Sequence, residues 1–203
     1  MKKILLVRHG SIKKKPHILV GAQDLPLSEK GRKEIHCLAQ SLPLTFWQKL
    51  QLVLCSDLRR CQESAQLLLR AKPKACPLPP LKIEAKFREI SLGAWEGLSK
   101  SEIQKRWPGQ WEERGQNLAN FAPPSGESFK ELSERVLDSL NFWGQEPGEL
   151  LCLVTHAGVM RVVIANLLAL PLEQILKIPL SYACSFLLSL DDLKQLIARK
   201  TST

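Results

Sequence analysis

Two short, uniformly apolar runs are the clearest structural pattern in this chain. Residues 4–7 form the first run and directly precede Arg8 and His9, and residues 150–154 form the second run shortly before His156. Neither run alternates between apolar and polar residues, which is typical of strands buried on both faces of a parallel sheet. Because ligands of such sheets bind beyond the carboxyl ends of the strands, two of the four histidines are expected at a ligand site.

Helix and strand patterns alternate between these two runs. Apolar spacing predicts a helix over residues 28–42, and Ser56 and Asp57 are candidate N-caps of a helix that continues to about Arg70. The remaining predicted elements are strands over 52–55 and 81–86, helices that begin at the capping boxes Ser99-x-x-Glu102 and Ser128-x-x-Glu131, a helix after His156 that continues to about Leu168, and an edge hairpin over 184–199.

This alternation predicts a single α/β domain over residues 1–203. We expect a three-layer sandwich with a mainly parallel central sheet, because strand–helix–strand units place helices on both faces of a sheet. Part of the segment over about 97–141 is rich in tryptophan, glutamate, asparagine and proline, so we expect this segment to form a helical cap over the sheet. The length of 203 residues and the apolar content of 44% are ordinary for one soluble globular domain.

The net charge of +9 favours an anionic partner. A phosphorylated metabolite, a nucleic acid or an acidic lipid would each fit, but the sequence contains no nucleic-acid-binding module, so no nucleic acid is expected. No apolar run is long enough for a signal peptide or a membrane span, so we expect no membrane association. The six cysteines show no metal-binding spacing and fit reduced thiols in a cytoplasmic protein. The sequence carries no indication of an oligomeric state.

Four further motifs accompany the first strand end, in a regular order along the chain. They are Ser56-Asp57-Leu58-Arg59-Arg60, Arg88-Glu89-Ile90-Ser91-Leu92-Gly93, Gly126-Glu127-Ser128 and Thr155-His156-Ala157-Gly158. Together with Arg8-His9-Gly10, this set resembles the histidine phosphatase, or phosphoglycerate mutase-like, superfamily over about residues 1–165. Trp95-Glu96-Gly97 and the segment over 21–32 are most similar to its alpha-ribazole phosphatase and broad-specificity phosphatase branches.

The resemblance implies three catalytic residues. His9 is the nucleophile that becomes phosphorylated, His156 contacts the transferring phosphoryl group, and Glu89 protonates the leaving oxygen and then activates the hydrolytic water. General chemistry agrees, since a neutral imidazole can attack phosphorus and covalent capture divides one difficult step into two. Glu84 and Glu96 are alternative acids, and the position within the motif favours Glu89.

The resemblance also implies which groups bind the phosphoryl group. Arg8 and Arg60 match the phosphate-binding arginines of the superfamily, and a guanidinium can donate two hydrogen bonds to phosphate oxygens. Arg59 is the alternative to Arg60. The backbone amides of Ala157 and Gly158, at the start of a predicted helix, are expected to add further donors.

The segment after the nucleophile departs from the superfamily pattern. Ser11 stands where a glutamate is frequent, and its hydroxyl can still donate a hydrogen bond to a substrate. Gly21 opens a loop that the similar branches share and is a further candidate contact. Lys13, Lys14 and Lys15 are expected to select substrates with a second anionic group; the alternative is a solvated, charged surface loop.

These residues predict a metal-independent phosphomonoester hydrolase that acts through a phosphohistidine and needs no cofactor. The expected partner is a small phosphorylated metabolite, for which alpha-ribazole phosphate is a candidate. One alternative is a cofactor-dependent phosphoglycerate mutase, although the chain lacks the longer insert of those mutases. The other is a non-catalytic phospho-ligand binding protein, against which the intact set of candidate residues argues.

Overall fold

A five-stranded sheet forms the centre of this computed structural model, which describes residues 2–189. The strands are β1 (Lys3–Arg8), β2 (Leu50–Cys55), β3 (Leu81–Ile83), β4 (Leu150–Thr155) and β5 (Ser185–Ser189). They are arranged in the order β3-β2-β4-β1-β5, and β5 pairs with β1 in the antiparallel sense while the other neighbours are parallel. The predicted α/β fold with a mainly parallel central sheet is confirmed.

The two apolar runs of the sequence are neighbouring strands at the centre of the sheet. β1 and β4 pair directly, with Arg8 opposite Thr155. Alternate residues of β1 point to opposite faces, so Ile4 and Leu6 join one apolar cluster while Leu5 and Val7 join the other. Both faces are covered by helices, which explains why neither strand shows polar alternation.

The helices form two layers on the sheet. The first layer, on the face of Leu5 and Val7, contains α1 (Glu29–Ser41), α2 (Leu44–Lys49) and α3 (Arg59–Arg70). On the opposite face lie α6 (Phe129–Trp143) and α7 (Ala157–Leu167), so the three-layer arrangement is confirmed. The predicted cap segment also contains α4 (Lys100–Arg106) and α5 (Gln110–Gln116). No helix within residues 2–189 is both long and apolar enough to span a membrane.

Both predicted capping boxes are confirmed, and the predicted N-cap of α3 is wrong. Complete capping boxes begin α4 at Ser99 and α6 at Ser128. In contrast, α3 begins at Arg59 and has no side-chain cap. The expected caps have other partners, because Ser56 is hydrogen-bonded to a histidine and Asp57 forms an ion pair with an arginine.

Three further elements differ from the sequence pattern. The third strand ends at Ile83, because the Glu84 side chain accepts a hydrogen bond from the Lys86 amide and caps a short 3₁₀ turn. Helix α2 was not predicted, and it buries an adjacent Phe–Trp pair against the sheet. The first arm of the predicted edge hairpin is β5, at the edge of the described sheet, and its second arm lies outside the described residues.

Candidate active site

A cavity of about 280 Å³ opens at the carboxyl ends of β1 and β4. Six predicted site residues line it: Arg8 and His9 at the end of β1, Lys14 in the loop after β1, Arg60 in the first turn of α3, Glu89 in the segment after β3, and Ala157 at the start of α7. The sheet topology brings them together, since strands that are distant in sequence end at the same edge. The positions of two histidines after strand ends predicted a ligand site at this edge of the sheet, and the cavity lies at that edge.

His9 is held in one tautomer. Its Nδ1 lies 2.7 Å from the carbonyl oxygen of Gly10, which can only accept a hydrogen bond, so Nδ1 carries the proton and Nε2 keeps the lone pair. Burial, and secondly the charge of Arg60, lower the pKa of His9 from 6.5 to about 3. The imidazole is therefore neutral at physiological pH, with Nε2 as its nucleophilic nitrogen.

His156 is fully buried and does not line the cavity. Its Nδ1 accepts a hydrogen bond from Arg60 Nε at 3.2 Å, so its Nε2 carries the proton and donates to Ser56 Oγ at 2.8 Å. The rings of His9 and His156 meet edge to face with 5.2 Å between their centroids. The resemblance implies a direct contact between His156 and the phosphoryl group, whereas in this structure both of its ring nitrogens hold neighbouring side chains.

The low pKa values of these two histidines make stability depend on pH. Burial is the largest cause for His156 as well, and its pKa lies well below 6.5. In the unfolded chain both rings take up a proton as the pH falls through about 6.5, whereas His9 in the folded state does so only near pH 3. Below about pH 6.5 the unfolded state therefore binds more protons than the folded state. Their contribution to stability is complete above pH 6.5 and is lost as the pH falls.

For His9 we expect the free energy of unfolding to fall by about 1.4 kcal/mol per pH unit across this range, and His156 should act in the same direction. Urea titrations between pH 7 and 4 measure it, and His9→Asn should show a smaller slope than the wild type. His36→Asn is the matched control substitution, at an exposed histidine. An unchanged slope in His9→Asn would contradict the assignment of a buried, neutral imidazole.

Arg60 retains donors for an anion. It is 1% exposed, and besides Nε it donates from Nη1 to the Gln23 carbonyl at 2.5 Å and from Nη2 to the Gly21 carbonyl at 2.7 Å. A guanidinium has five N–H groups, so these three bonds leave two for a ligand. The alternative, Arg59, is exposed and forms an ion pair with Glu63. Of the two arginines, Arg60 is the one that lines the cavity.

Glu89 is the carboxylate of the cavity lining. Both of its oxygens accept from the Gly158 amide, at 3.0 and 3.1 Å, and Oε1 also accepts from the Ile90 amide at 3.0 Å. The Gly158 amide, expected to bind phosphate, therefore holds Glu89 in the structure. The alternative acids have structural roles: Glu96 accepts from the amides of loop residues, and Glu84 caps a turn.

Three further cations line the cavity. Lys14 belongs to the lysine run, whereas the sequence interpretation did not single out Arg114 or Arg161 as site residues. Arg161 donates from Nε to the Ile178 carbonyl at 3.2 Å, and burial lowers the pKa of both arginines. Helical spacing could have indicated Arg161, because it lies one turn after Ala157 on α7. No sequence signal pointed to Arg114.

The structure does not bring the other loop candidates into the cavity lining. Ser11 is buried against α1, where its amide and hydroxyl both donate to Glu34 at 2.7 Å. Gly21 contacts Arg60 through its backbone carbonyl. Lys13 and Lys15 are exposed residues outside the lining. Of these four residues, only Gly21 contacts a residue of the cavity lining, because its carbonyl accepts a hydrogen bond from Arg60.

Within residues 2–189, no three His, Cys, Asp or Glu side chains converge on a common point. Metal independence of the activity stays a prediction.

Comparison with known families identifies the chain. A sequence model of the histidine phosphatase superfamily (branch 1) matches residues 4–203. The chain belongs to this superfamily. The match confirms the family prediction, and several of the residues on which the resemblance rested line the cavity at the carboxyl ends of β1 and β4.

Relatives within the histidine phosphatase superfamily include both mutases and phosphatases. A phosphoglycerate mutase from Schizosaccharomyces pombe is 30% identical over 194 residues, which cover 93% of this chain and 90% of the relative. A mycobacterial glucosyl-3-phosphoglycerate phosphatase has a similar structure, with a TM-score of 0.75, 26% identity and coverage of 93% and 90% of the two chains. An alpha-ribazole phosphatase from Shigella flexneri gives a TM-score of 0.78 at 24% identity, with coverage of 92% and 90%, and shows the shared fold.

Proposed function

We propose that this chain hydrolyses phosphomonoesters of small metabolites through a phosphohistidine on His9. The observation that carries the proposal is the state of His9: a neutral ring, tethered through Nδ1 to the Gly10 carbonyl, at a cavity that also contains Arg8, Arg60 and Glu89. A nucleophile needs a free lone pair, and the phosphoryl group that it attacks needs cations around its oxygens.

The first step transfers the phosphoryl group to the protein. Nε2 of His9 attacks phosphorus, and the bond between phosphorus and the leaving oxygen breaks. Protonated Glu89 gives its proton to that oxygen, so that the leaving group departs as an alcohol. The remaining N–H groups of Arg60, together with Arg8, balance the negative charge of the phosphoryl oxygens.

The second step returns the protein to its resting state. Glu89, now a carboxylate, takes a proton from a water molecule that attacks phosphorus. The bond between Nε2 and phosphorus breaks, and inorganic phosphate leaves with the regenerated neutral His9. Glu89 is thus acid and then base, as microscopic reversibility requires of one group that serves both half-reactions.

We expect purified protein to release equal amounts of para-nitrophenol and inorganic phosphate from para-nitrophenyl phosphate. The mechanism uses side chains of this chain alone, so EDTA should leave the rate unchanged. With 3-phosphoglycerate and a bisphosphorylated primer, phosphate release without isomerisation is expected. Isomerisation without phosphate release would support the mutase alternative, and binding without turnover would support a phospho-ligand binding protein.

The charge of the cavity supports a substrate with a second anionic group. Lys14, Arg114 and Arg161 line the cavity in addition to Arg8 and Arg60, and Glu89 is the acidic group in this lining. We propose a phosphorylated carboxylic acid or a bisphosphate as the substrate class. Alpha-ribazole phosphate, the candidate that the resemblance suggested, is a nucleoside monophosphate without that second group and is the alternative substrate.

Arg161→Gln should lower kcat/KM for 3-phosphoglycerate by roughly 10- to 100-fold, the usual effect of losing a hydrogen bond between charged groups. Glycerol 3-phosphate, which lacks the carboxylate, should lose much less. Steady-state kinetics on the two substrates measures the difference. Lys13→Gln is the matched control, because Lys13 is a cation outside the cavity lining; an equal loss on both substrates would show that Arg161 does not read the second anion.

A further inference from the structure

A loop at the C-terminal side of the sheet holds the backbone of the nucleophile. This loop, residues 180–184, precedes β5 and is named here the clamp loop. The Ala183 amide donates to the His9 carbonyl at 3.2 Å, and the Arg8 amide donates to the Cys184 carbonyl at 2.9 Å. The segment that carries the nucleophile is therefore paired with β4 on one side and with the clamp loop on the other.

The clamp loop also contacts both side chains of this segment. The Arg8 guanidinium lies 4.0 Å from the centroid of the Tyr182 ring and donates from Nη1 to the Leu180 carbonyl at 2.6 Å. The His9 ring lies 5.6 Å from the same Tyr182 ring, centroid to centroid. One aromatic ring is thus shared by the nucleophile and by the adjacent arginine.

With its guanidinium over the Tyr182 ring, Arg8 has an N–H donor available for an anion. A guanidinium that lies on an aromatic face keeps its N–H groups in the plane of the guanidinium, pointing away from the ring. Arg8 Nε is buried and has no hydrogen-bond partner among residues 2–189. A buried donor without a partner is unfavourable, and a phosphate oxygen would satisfy it.

Backbone strain in the clamp loop accompanies this placement. Ala183 has a φ of 53°, in the left-handed region that residues with a Cβ rarely adopt. Its amide is the one that bonds to the His9 carbonyl. Tyr182 lines the active-site cavity and also a second pocket beside α1.

We propose that Tyr182 is a positioning residue for phosphate capture, which fixes the Arg8 guanidinium and restricts the His9 ring. The inference rests on the proposed function, since it concerns the same cavity. The ring face is the group that acts: Tyr182→Phe keeps it, whereas Tyr182→Leu and Tyr182→Met remove it and retain an apolar side chain.

The test measures binding of inorganic phosphate and of orthovanadate by titration calorimetry, alongside turnover of para-nitrophenyl phosphate. We expect Tyr182→Leu and Tyr182→Met to bind both anions about tenfold more weakly and to raise KM, while Tyr182→Phe stays within about twofold of the wild type. Phe142, an exposed aromatic residue on α6, supplies the control, because Phe142→Leu should change neither quantity. Melting temperatures establish that each variant is folded, and the two ring-free variants keep the test decisive if one of them does not fold.

Two outcomes would overturn the inference while leaving the proposed function intact. Wild-type anion affinity in folded Tyr182→Leu or Tyr182→Met would show that the ring does not position Arg8. Equal weakening in Tyr182→Phe would assign the effect to the hydroxyl group instead of the ring face. A wild-type protein that binds phosphate but does not turn over para-nitrophenyl phosphate would contradict the proposed hydrolysis and leave the role of Tyr182 in anion binding measurable.

Discussion

His9→Ala should abolish turnover, with a loss on the order of 10⁴-fold or more in kcat. The large effect is expected because the other buried histidine cannot replace His9: His156 does not line the cavity, and its two ring nitrogens are bonded to Arg60 and Ser56. Wild-type protein quenched during turnover should yield a phosphopeptide that contains His9, labile in acid and stable in base. The variant should yield none.

Two controls make the His9 experiment specific. The exposed His17 can be changed in the same way, and His17→Ala should retain both the label and the rate. Binding of inorganic phosphate to His9→Ala would show that the arginines of the cavity remain in place. Full activity in His9→Ala would contradict the mechanism, and a label on His156 would move the nucleophile to the second strand end.

Glu89→Gln should slow hydrolysis of alkyl phosphates by roughly 10²- to 10⁴-fold, the usual range for loss of a general acid. Para-nitrophenyl phosphate should be affected far less in its first step, because its phenolate leaves without a proton. Parallel kinetics on glycerol 3-phosphate and para-nitrophenyl phosphate measures the contrast. Glu84→Gln is the matched control from the alternative acids, and it should show no difference between the substrates.

A substitution at Gly158 tests the role of the Glu89 carboxylate without changing Glu89 itself. A Cβ at this position would lie 2.2 Å from Glu89 Oε1, so Gly158→Ala must displace the carboxylate that the Gly158 amide now holds. We expect this variant to reproduce the substrate contrast of Glu89→Gln. Equal slowing of both substrates in Glu89→Gln would instead show that Glu89 positions or packs and does not transfer a proton.

Much of the site could be predicted because it follows strand ends. An apolar run without alternation predicts a buried parallel strand, and the carboxyl ends of such strands share one edge. The placement of Arg8, His9 and Ala157 follows from this rule alone. Arg60 and Glu89 needed the resemblance to a family, because nothing in their local pattern indicates that α3 and the segment after β3 reach the same cavity.

The substrate loop could not be predicted in the same way. Lys13, Lys14 and Lys15 look equivalent in sequence, but a loop without a regular period does not determine which side chain faces inward. Ser11 was a candidate substrate contact, but its amide and hydroxyl instead donate hydrogen bonds to Glu34 on α1. The choice between these partners depends on how closely α1 approaches the loop, which is a matter of packing.

The sequence by itself determined the α/β alternation, the capping boxes of α4 and α6, the superfamily, and the residues at two strand ends. These features depend on local periodicity and on short motifs, in which the interacting groups are close along the chain. The tertiary structure alone decided which long-range partners those residues have. It placed Arg60 on His156, Glu89 on the amide of Gly158, and Tyr182 on Arg8. Such contacts join positions far apart in sequence, and they form only where the fold leaves a donor, an acceptor or a ring face within reach.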